Sequence, residues 1–187
     1  MSIYDKIYET AIDFYGLITA DEAKNIGIPN IELVKLAHRG KLIRLGHGLY
    51  RLSRYIPTLF DAYAEAVKMV GPEAFLYGES VLALHSLVPI NPSKIYVASS
   101  LRIRKRLPEH ICMIKANTPD DIVYYEGIPS QNAVNAIRAC FGSIMNERII
   151  DAIHESRRIG IITVGEVKML MKELKNGREA PKQQEES

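Results

Sequence analysis

The chain has 187 residues, 47% of them hydrophobic and 25% charged, which is ordinary globular composition with room for one large domain or two small ones. A formal net charge of only +2 excludes binding of polyanions through bulk charge, so a nucleic-acid surface has to come from local clustering. The start MSIYDKIYET is amphipathic and unlike a signal peptide, and no apolar run approaches the ~18 residues of a membrane span, so the expectation is a soluble, cytoplasmic protein. Cys112 and Cys140 each sit in an apolar run outside any CxxC or Cys/His cluster and read as buried thiols.

Residues 3–15 place Ile3, Ile7 and Ala11 on one helical face, and Gly16 ends that helix. Thr19 and Glu22 form a capping-box pattern for a short helix, Ala20–Asn25, which Gly27 stops. Asn30 is the expected N-cap of a third helix, Ile31–Arg39, ended by Gly40. Short helix, tight turn, second helix is the grammar of a helix-turn-helix. Leu42–Leu52 then reads as a hairpin turning at His47-Gly48, the wing of a winged helix. With that turn as a two-residue loop, Leu45 faces Tyr50, Arg44 faces Arg51 and Ile43 faces Leu52, which puts both arginines on one face.

Pro57-Thr58 marks a boundary, after which Thr58 and Asp61 cap a helix running to about Val70, with Leu59, Ala62, Tyr63, Ala66 and Val70 expected inward. A second region follows, with a helix at Glu79–Leu87 and short strands near Ile95–Ala98, Ile111–Ile114 and Ile122–Glu126. Helices then dominate near Gln131–Cys140, Ile144–Arg157 and Thr163–Leu174. The expected fold class is α+β: a winged helix-turn-helix over residues 1–56, a mixed α/β C-terminal domain with a small sheet and several helices over 57–174, and a disordered tail over 175–187.

Between Leu33 and Phe60 there is no acidic residue, while the stretch holds Lys35, His38, Arg39, Lys41, Arg44, His47, Arg51 and Arg54. These fall on the third helix and the hairpin, the two elements a winged helix presents to duplex DNA, and they are the candidate DNA contacts. Lys35 and Arg39 share a helix face suited to the major groove; Arg44, His47 and Arg51 are placed to reach phosphates or the minor groove. The competing reading is a solvated face on a protein–protein module. A second acid-free stretch, Ser80–Pro108, carries Lys94 and the cluster Arg102, Arg104, Lys105, Arg106. It reads either as a solvated loop or as a second DNA contact or docking site for an acidic partner.

Catalytic motifs are weak. Pro119-Asp120 and Glu166-Val167-Lys168 have nuclease-like lettering, but they lie far apart and the second falls in an amphipathic helix. No Walker loop, GxSxG or HExxH occurs, and His85, His110 and His154 show no metal spacing. His85, in an apolar helix, reads as a packed or capping side chain. The expectation is a non-enzyme without cofactor or metal; a nuclease using Asp120, Asp121 and Glu126 is the outlying alternative.

Residues 17–52 resemble the N-terminal winged helix of AbiEi-type antitoxins. The resemblance rests on Arg39-Gly40-Lys41-Leu42 and Arg44-Leu45-Gly46-His47-Gly48-Leu49-Tyr50. Further along, Gly78–Leu87, Pro92–Ala98 and Glu126–Pro129 resemble the family's Ser-Ala-Leu-x-x-His-Gly-Leu helix, the strand after it and a later Gly-Ile-Pro turn. Ser86 stands where the family usually has glycine, and the Thr-rich helix start usual after Gly-Ile-Pro is replaced by Ser130–Ile137. The resemblance implies a transcriptional autorepressor that binds an operator; the expected operator is an inverted repeat, with a homodimer on DNA as the expected assembly. The resemblance also implies an antitoxin of a type IV toxin–antitoxin system used in phage defence. Such an antitoxin counteracts a nucleotidyltransferase-like toxin without requiring a stable complex. An orphan regulator with a sensing or dimerisation C-terminal domain is the alternative.

Overall fold

The computed structural model describes residues 2–89, 92–117 and 121–177, and divides the chain into two compact units that meet at Gly71 and Pro72.

The first unit begins with α1 (Ile3–Ile12), whose N-terminus is closed by a reciprocal pair: Asp5 N–H donates to Ser2 Oγ, and Ser2 N–H donates to the Asp5 carboxylate. The helix stops earlier than its apolar period suggests, because Tyr15 and Gly16 both take left-handed φ, +54° and +65°. Gly16 has a second reason to be glycine. A Cβ there would lie 2.7 Å from the Tyr55 ring, and its carbonyl accepts the Leu52 N–H at 2.8 Å. Strand β1 (Leu17–Thr19) follows, then α2 (Ala20–Asn25), opened by the expected Thr19–Glu22 capping box. Helix α3 (Asn30–His38) differs from expectation at its start: Pro29 is the N-cap, without a side-chain cap bond, and Asn30 is the first helical residue. Proline before the first turn supplies a fixed φ and needs no donor there.

Strands β2 (Leu42–Gly46) and β3 (Leu49–Leu52) form the wing, and β3 also pairs with β1, giving the sheet order β1-β3-β2. The hairpin register is one residue away from the sequence reading. Leu42 faces Leu52, Ile43 faces Arg51 and Arg44 faces Tyr50, with an irregularity between Arg44 and Gly46 that absorbs Leu45. Such a bulge flips the remaining side chains to the opposite faces. Leu42, Tyr50 and Leu52 therefore enter the core with Ile7, Ala11, Ile18 and Leu33, while Ile43 is 44% exposed.

Helix α4 (Asp61–Val70) belongs to this unit, so the N-terminal domain runs to Gly71 rather than ending at residue 56. Side chains hold it there: Arg51 pairs with Asp61 and Glu65, and Lys68 pairs with Glu22. The Thr58 N–H and hydroxyl both donate to Asp61 Oδ1, at 2.7 and 2.8 Å, but the pair does not cap the helix as expected: the N-cap is Phe60, without a side-chain cap bond. Its buried face is Ala64, Ala66, Val67 and Val70; Leu59, expected inward, is 90% exposed because it precedes the helix.

The second unit contains β4 (Phe75–Leu76), α5 (Glu79–Leu84), β5 (Ile95–Ser99), β6 (Ile111–Lys115), β7 (Val123–Tyr125), β8 (Ile128–Ser130), α6 (Ala133–Ala139), α7 (Asn146–Arg158) and α8 (Val164–Lys175). The strands form one mixed sheet in the order β6-β5-β4-β8-β7, two strands wider than the sequence suggested. β5 and β6 run parallel, and β4 lies antiparallel to β5 and parallel to β8. Helices α5–α8 enclose one apolar cluster around Leu82, Ile137, Phe141, Ile149, Ile153 and Leu170. A second cluster joins Phe75, Tyr77, Ala98, Cys112 and Ile114. Both cysteines are buried, and neither is in a disulfide among the described residues.

Two buried polar contacts pin the β4–α5 connection. Gly78 N–H donates to Gln131 Oε1 at 2.8 Å, and Tyr96 N–H donates to Ser80 Oγ at 2.7 Å. The His85 ring packs 4.2 Å from that of Tyr125, and burial holds its pKa below the ordinary value. That is the packed histidine the sequence suggested. Helix α8 reaches Lys175; residues 178–187 of the expected tail lie outside the described residues.

Candidate nucleic-acid interface

The order α1-β1-α2-α3-β2-β3 is that of a winged helix, with α3 packed on α2 and on β2. Leu33 and Leu36 bury one side of α3, so the helix turns Ile31, Lys35, His38 and Arg39 outward. The buried pair sits three residues apart, the spacing that sets one helix side to the core and leaves the other to solvent. Lys41, Arg44, His47 and Arg54, on and beside the wing, are also exposed.

These cations are not equivalent. Lys35 Nζ lies 2.7 Å from Glu32 Oε1, one helical turn away, an exposed pair of little net worth that a phosphate or base can displace. Lys41 Nζ lies 5.7 Å above the Tyr4 ring, which draws it toward α1. Arg44 Nε donates to the Gly46 carbonyl at 3.3 Å, a bond that props the guanidinium at the wing tip. Among the described residues, His38, Arg39, His47 and Arg54 enter no ion pair.

Arg51 is where geometry and sequence part. It does not share a face with Arg44. Its Nη1 lies 2.5 Å from Glu65 Oε1 and 3.5 Å from Asp61 Oδ2, and its side chain is 20% exposed. The guanidinium is occupied with holding α4 against the wing. Arg51 alternates with the core residues Tyr50 and Leu52 and so takes the opposite sheet face in either register, where Asp61 and Glu65 of α4 meet it; the register shift changes its neighbour, bringing Ile43 rather than Arg44 to its side. The sequence reading also passed over Ile31. It is 56% exposed and stands one turn before Lys35 on the outward side of α3, where an apolar side chain can meet a thymine methyl. The visible signal was a β-branched residue four positions before a lysine on a helix already assigned to DNA.

In the second unit, Arg102, Arg104, Lys105 and Arg106 are exposed on the segment between β5 and β6. Of the acidic residues with nuclease-like lettering, Glu166 and Asp121 have local structural duties. Glu166 closes the capping box of α8, accepting the Thr163 N–H at 2.6 Å, which pulls its pKa down. Asp121 accepts from the side-chain amides of Asn132 and Asn135 at the start of α6. Glu126 sits in the β7–β8 turn with φ +48°, and Asp120 lies outside the described residues. Among the described residues, no three His, Cys, Asp or Glu side chains gather as a metal site would require, and no helix is long and apolar enough to cross a membrane.

The chain is similar to the crystal structure of the RV2827C protein from Mycobacterium tuberculosis, with a TM-score of 0.47 at 14% identity over 96% of this chain and 79% of that one. A search of curated proteins finds no match. The motifs at Gly78–Leu87, Pro92–Ala98 and Glu126–Pro129 lie outside the segment that a family model covers. Within that segment the resemblance is borne out: residues 5–53, from α1 through the wing, match the family described as "Transcriptional regulator, AbiEi antitoxin".

Proposed function

We propose that the protein is a DNA-binding autorepressor that also serves as the antitoxin of a type IV toxin–antitoxin system. The first unit carries the DNA-binding role. Helix α3 enters the major groove with Ile31, Lys35, His38 and Arg39, and the wing brings Arg44 and His47 to the flanking phosphates. The observation behind this is the set of exposed cations on α3 and the wing, of which His38, Arg39 and His47 enter no ion pair among the described residues, in a fold whose segment matches a regulator family. The protein acts by binding and not by catalysis, a reading supported by the capping and hydrogen-bonding duties of Glu166 and Asp121. It works in the cytoplasm, as a homodimer on an inverted repeat.

The test is a two-part cell assay. A reporter driven by the DNA upstream of the gene should be repressed by the wild-type chain and released by Arg39→Ala/Arg44→Ala. The reading expects a nucleotidyltransferase-like toxin gene beside this one, and co-expression of the chain should relieve the growth arrest that gene causes. Repression without relief leaves an orphan regulator; no repression of the reporter sinks the DNA-binding role itself.

A further inference from the structure

The second unit holds a groove of about 630 Å³ between β6 and the segment that precedes it. Lys94, Arg104, Lys105 and Arg106 line it, and among the described lining residues Glu109 is the acidic one. None of the four cations has an ion-pair partner among the described residues. Like charges crowded around a concavity repel one another, an arrangement that an anion relieves. The rest of the lining is apolar: Ile103 and Leu107 are half-buried, and Met113 is 9% exposed on the strand.

Size and shape decide among anions. The groove falls within the range of roughly 300–1,000 Å³ typical of small-molecule sites. A DNA duplex presents its phosphates on a convex cylinder and cannot enter such a space. A ligand that does enter has to satisfy clustered cations at one part and apolar walls at another. A chain of phosphates carried on an uncharged organic body has that composition. Arginine forks grip phosphate oxygens two at a time, and lysine adds a point charge.

We infer that this groove binds a nucleoside polyphosphate, with the phosphates on Arg104, Lys105, Arg106 and Lys94 and the nucleoside against Ile103, Leu107 and Met113. The inference does not depend on the DNA-binding role of the first unit. Glu109 limits affinity from within the site, since its carboxylate repels the same phosphates.

Titration calorimetry of the full chain with ATP, ADP, AMP and pyrophosphate tests it. One saturable site is expected, weakening with each phosphate removed, with ATP tighter than pyrophosphate. Arg104→Ala/Arg106→Ala should weaken ATP binding by roughly tenfold or more, and Glu109→Gln should tighten it. The second variant keeps the test decisive if the first fails to fold, because a merely structural carboxylate would not improve binding when neutralised. Pyrophosphate binding as tightly as ATP would remove the nucleoside from the proposal. It is overturned by the absence of saturable ATP binding, by affinity independent of phosphate number, or by Glu109→Gln leaving affinity unchanged. It is equally overturned if duplex DNA or an acidic peptide displaces ATP from the groove while ATP alone binds only weakly.

Discussion

Arg51 separates a structural cation from a DNA-binding one. In sequence it is one more arginine in a basic run; in the fold it is clamped between Asp61 and Glu65, which are 11% and 24% exposed. Arg51→Ala leaves two partly buried carboxylates facing a space without their shared cation. Exposed ion pairs are worth about 0–1 kcal/mol, whereas breaking a buried one costs about 3–5 kcal/mol. Partial burial places this cost near ~2 kcal/mol, which lowers the melting temperature of a chain this size by roughly 4–8 °C. DNA affinity should respond differently. At a temperature where the variant is folded, the slope of log affinity against log salt should match wild type, while Arg44→Ala should reduce it by about one. Differential scanning calorimetry and fluorescence anisotropy across a salt series read the two quantities. A variant that melts like wild type and loses one unit of salt slope would refute the assignment and restore Arg51 to the DNA surface.

Three further outcomes follow from other sites. Ser156 on α7 is buried, and its Oγ has no hydrogen-bond partner among the described residues, so Ser156→Ala should raise stability by about 1 kcal/mol in urea unfolding; a loss would mean that the hydroxyl is satisfied in solution. Ser86 holds a left-handed backbone with φ +53°, so Ser86→Gly should be neutral to stabilising by up to ~1 kcal/mol, where a typical exposed serine-to-glycine change destabilises. Burial pushes the Glu22 carboxyl up, but hydrogen bonds from Lys68 and Thr19 outweigh it and leave the group below its ordinary 4.5. A depressed carboxylate stabilises the fold fully above that ordinary value and loses the contribution as pH falls through the depressed one. Glu22→Gln should therefore melt lower than wild type at neutral pH and show a shallower decline on acidification; parallel curves for the two proteins would contradict this.

The helices and the wing were legible because their signals are local. Thr19-x-x-Glu22 caps α2, Thr58 and Asp61 meet at the start of α4, and glycines end α2 and α3. β1, β4 and β8 were not legible, being two or three residues long, too short for an alternating pattern to emerge. The hairpin register failed for a sharper reason. Counting inward from a two-residue turn assumes a regular ladder, and the irregularity at Leu45 breaks it, exchanging the faces of Ile43 and Arg44. The misreading of Arg51 has a related origin. The acid-free stretch ends at Phe60, and the next residue, Asp61, is one of the two carboxylates that fold back onto Arg51. Charge counted along the chain measures composition, and pairing in space depends on α4 returning to the wing. Lys35, His38 and Arg39 lie exposed on α3, where the spacing put them, because a helix face follows from spacing alone.

The central claim is that α3 and the wing carry the DNA surface. Anisotropy titration of a labelled duplex from upstream of the gene, with wild type and Arg39→Ala/Arg44→Ala at one fixed salt concentration, tests it most directly. Both positions are exposed and outside the ion-pair network that stabilises the unit, so the variant should melt like wild type and bind at least roughly tenfold more weakly. A folded variant that binds within about twofold of wild type would place the DNA surface elsewhere on the molecule.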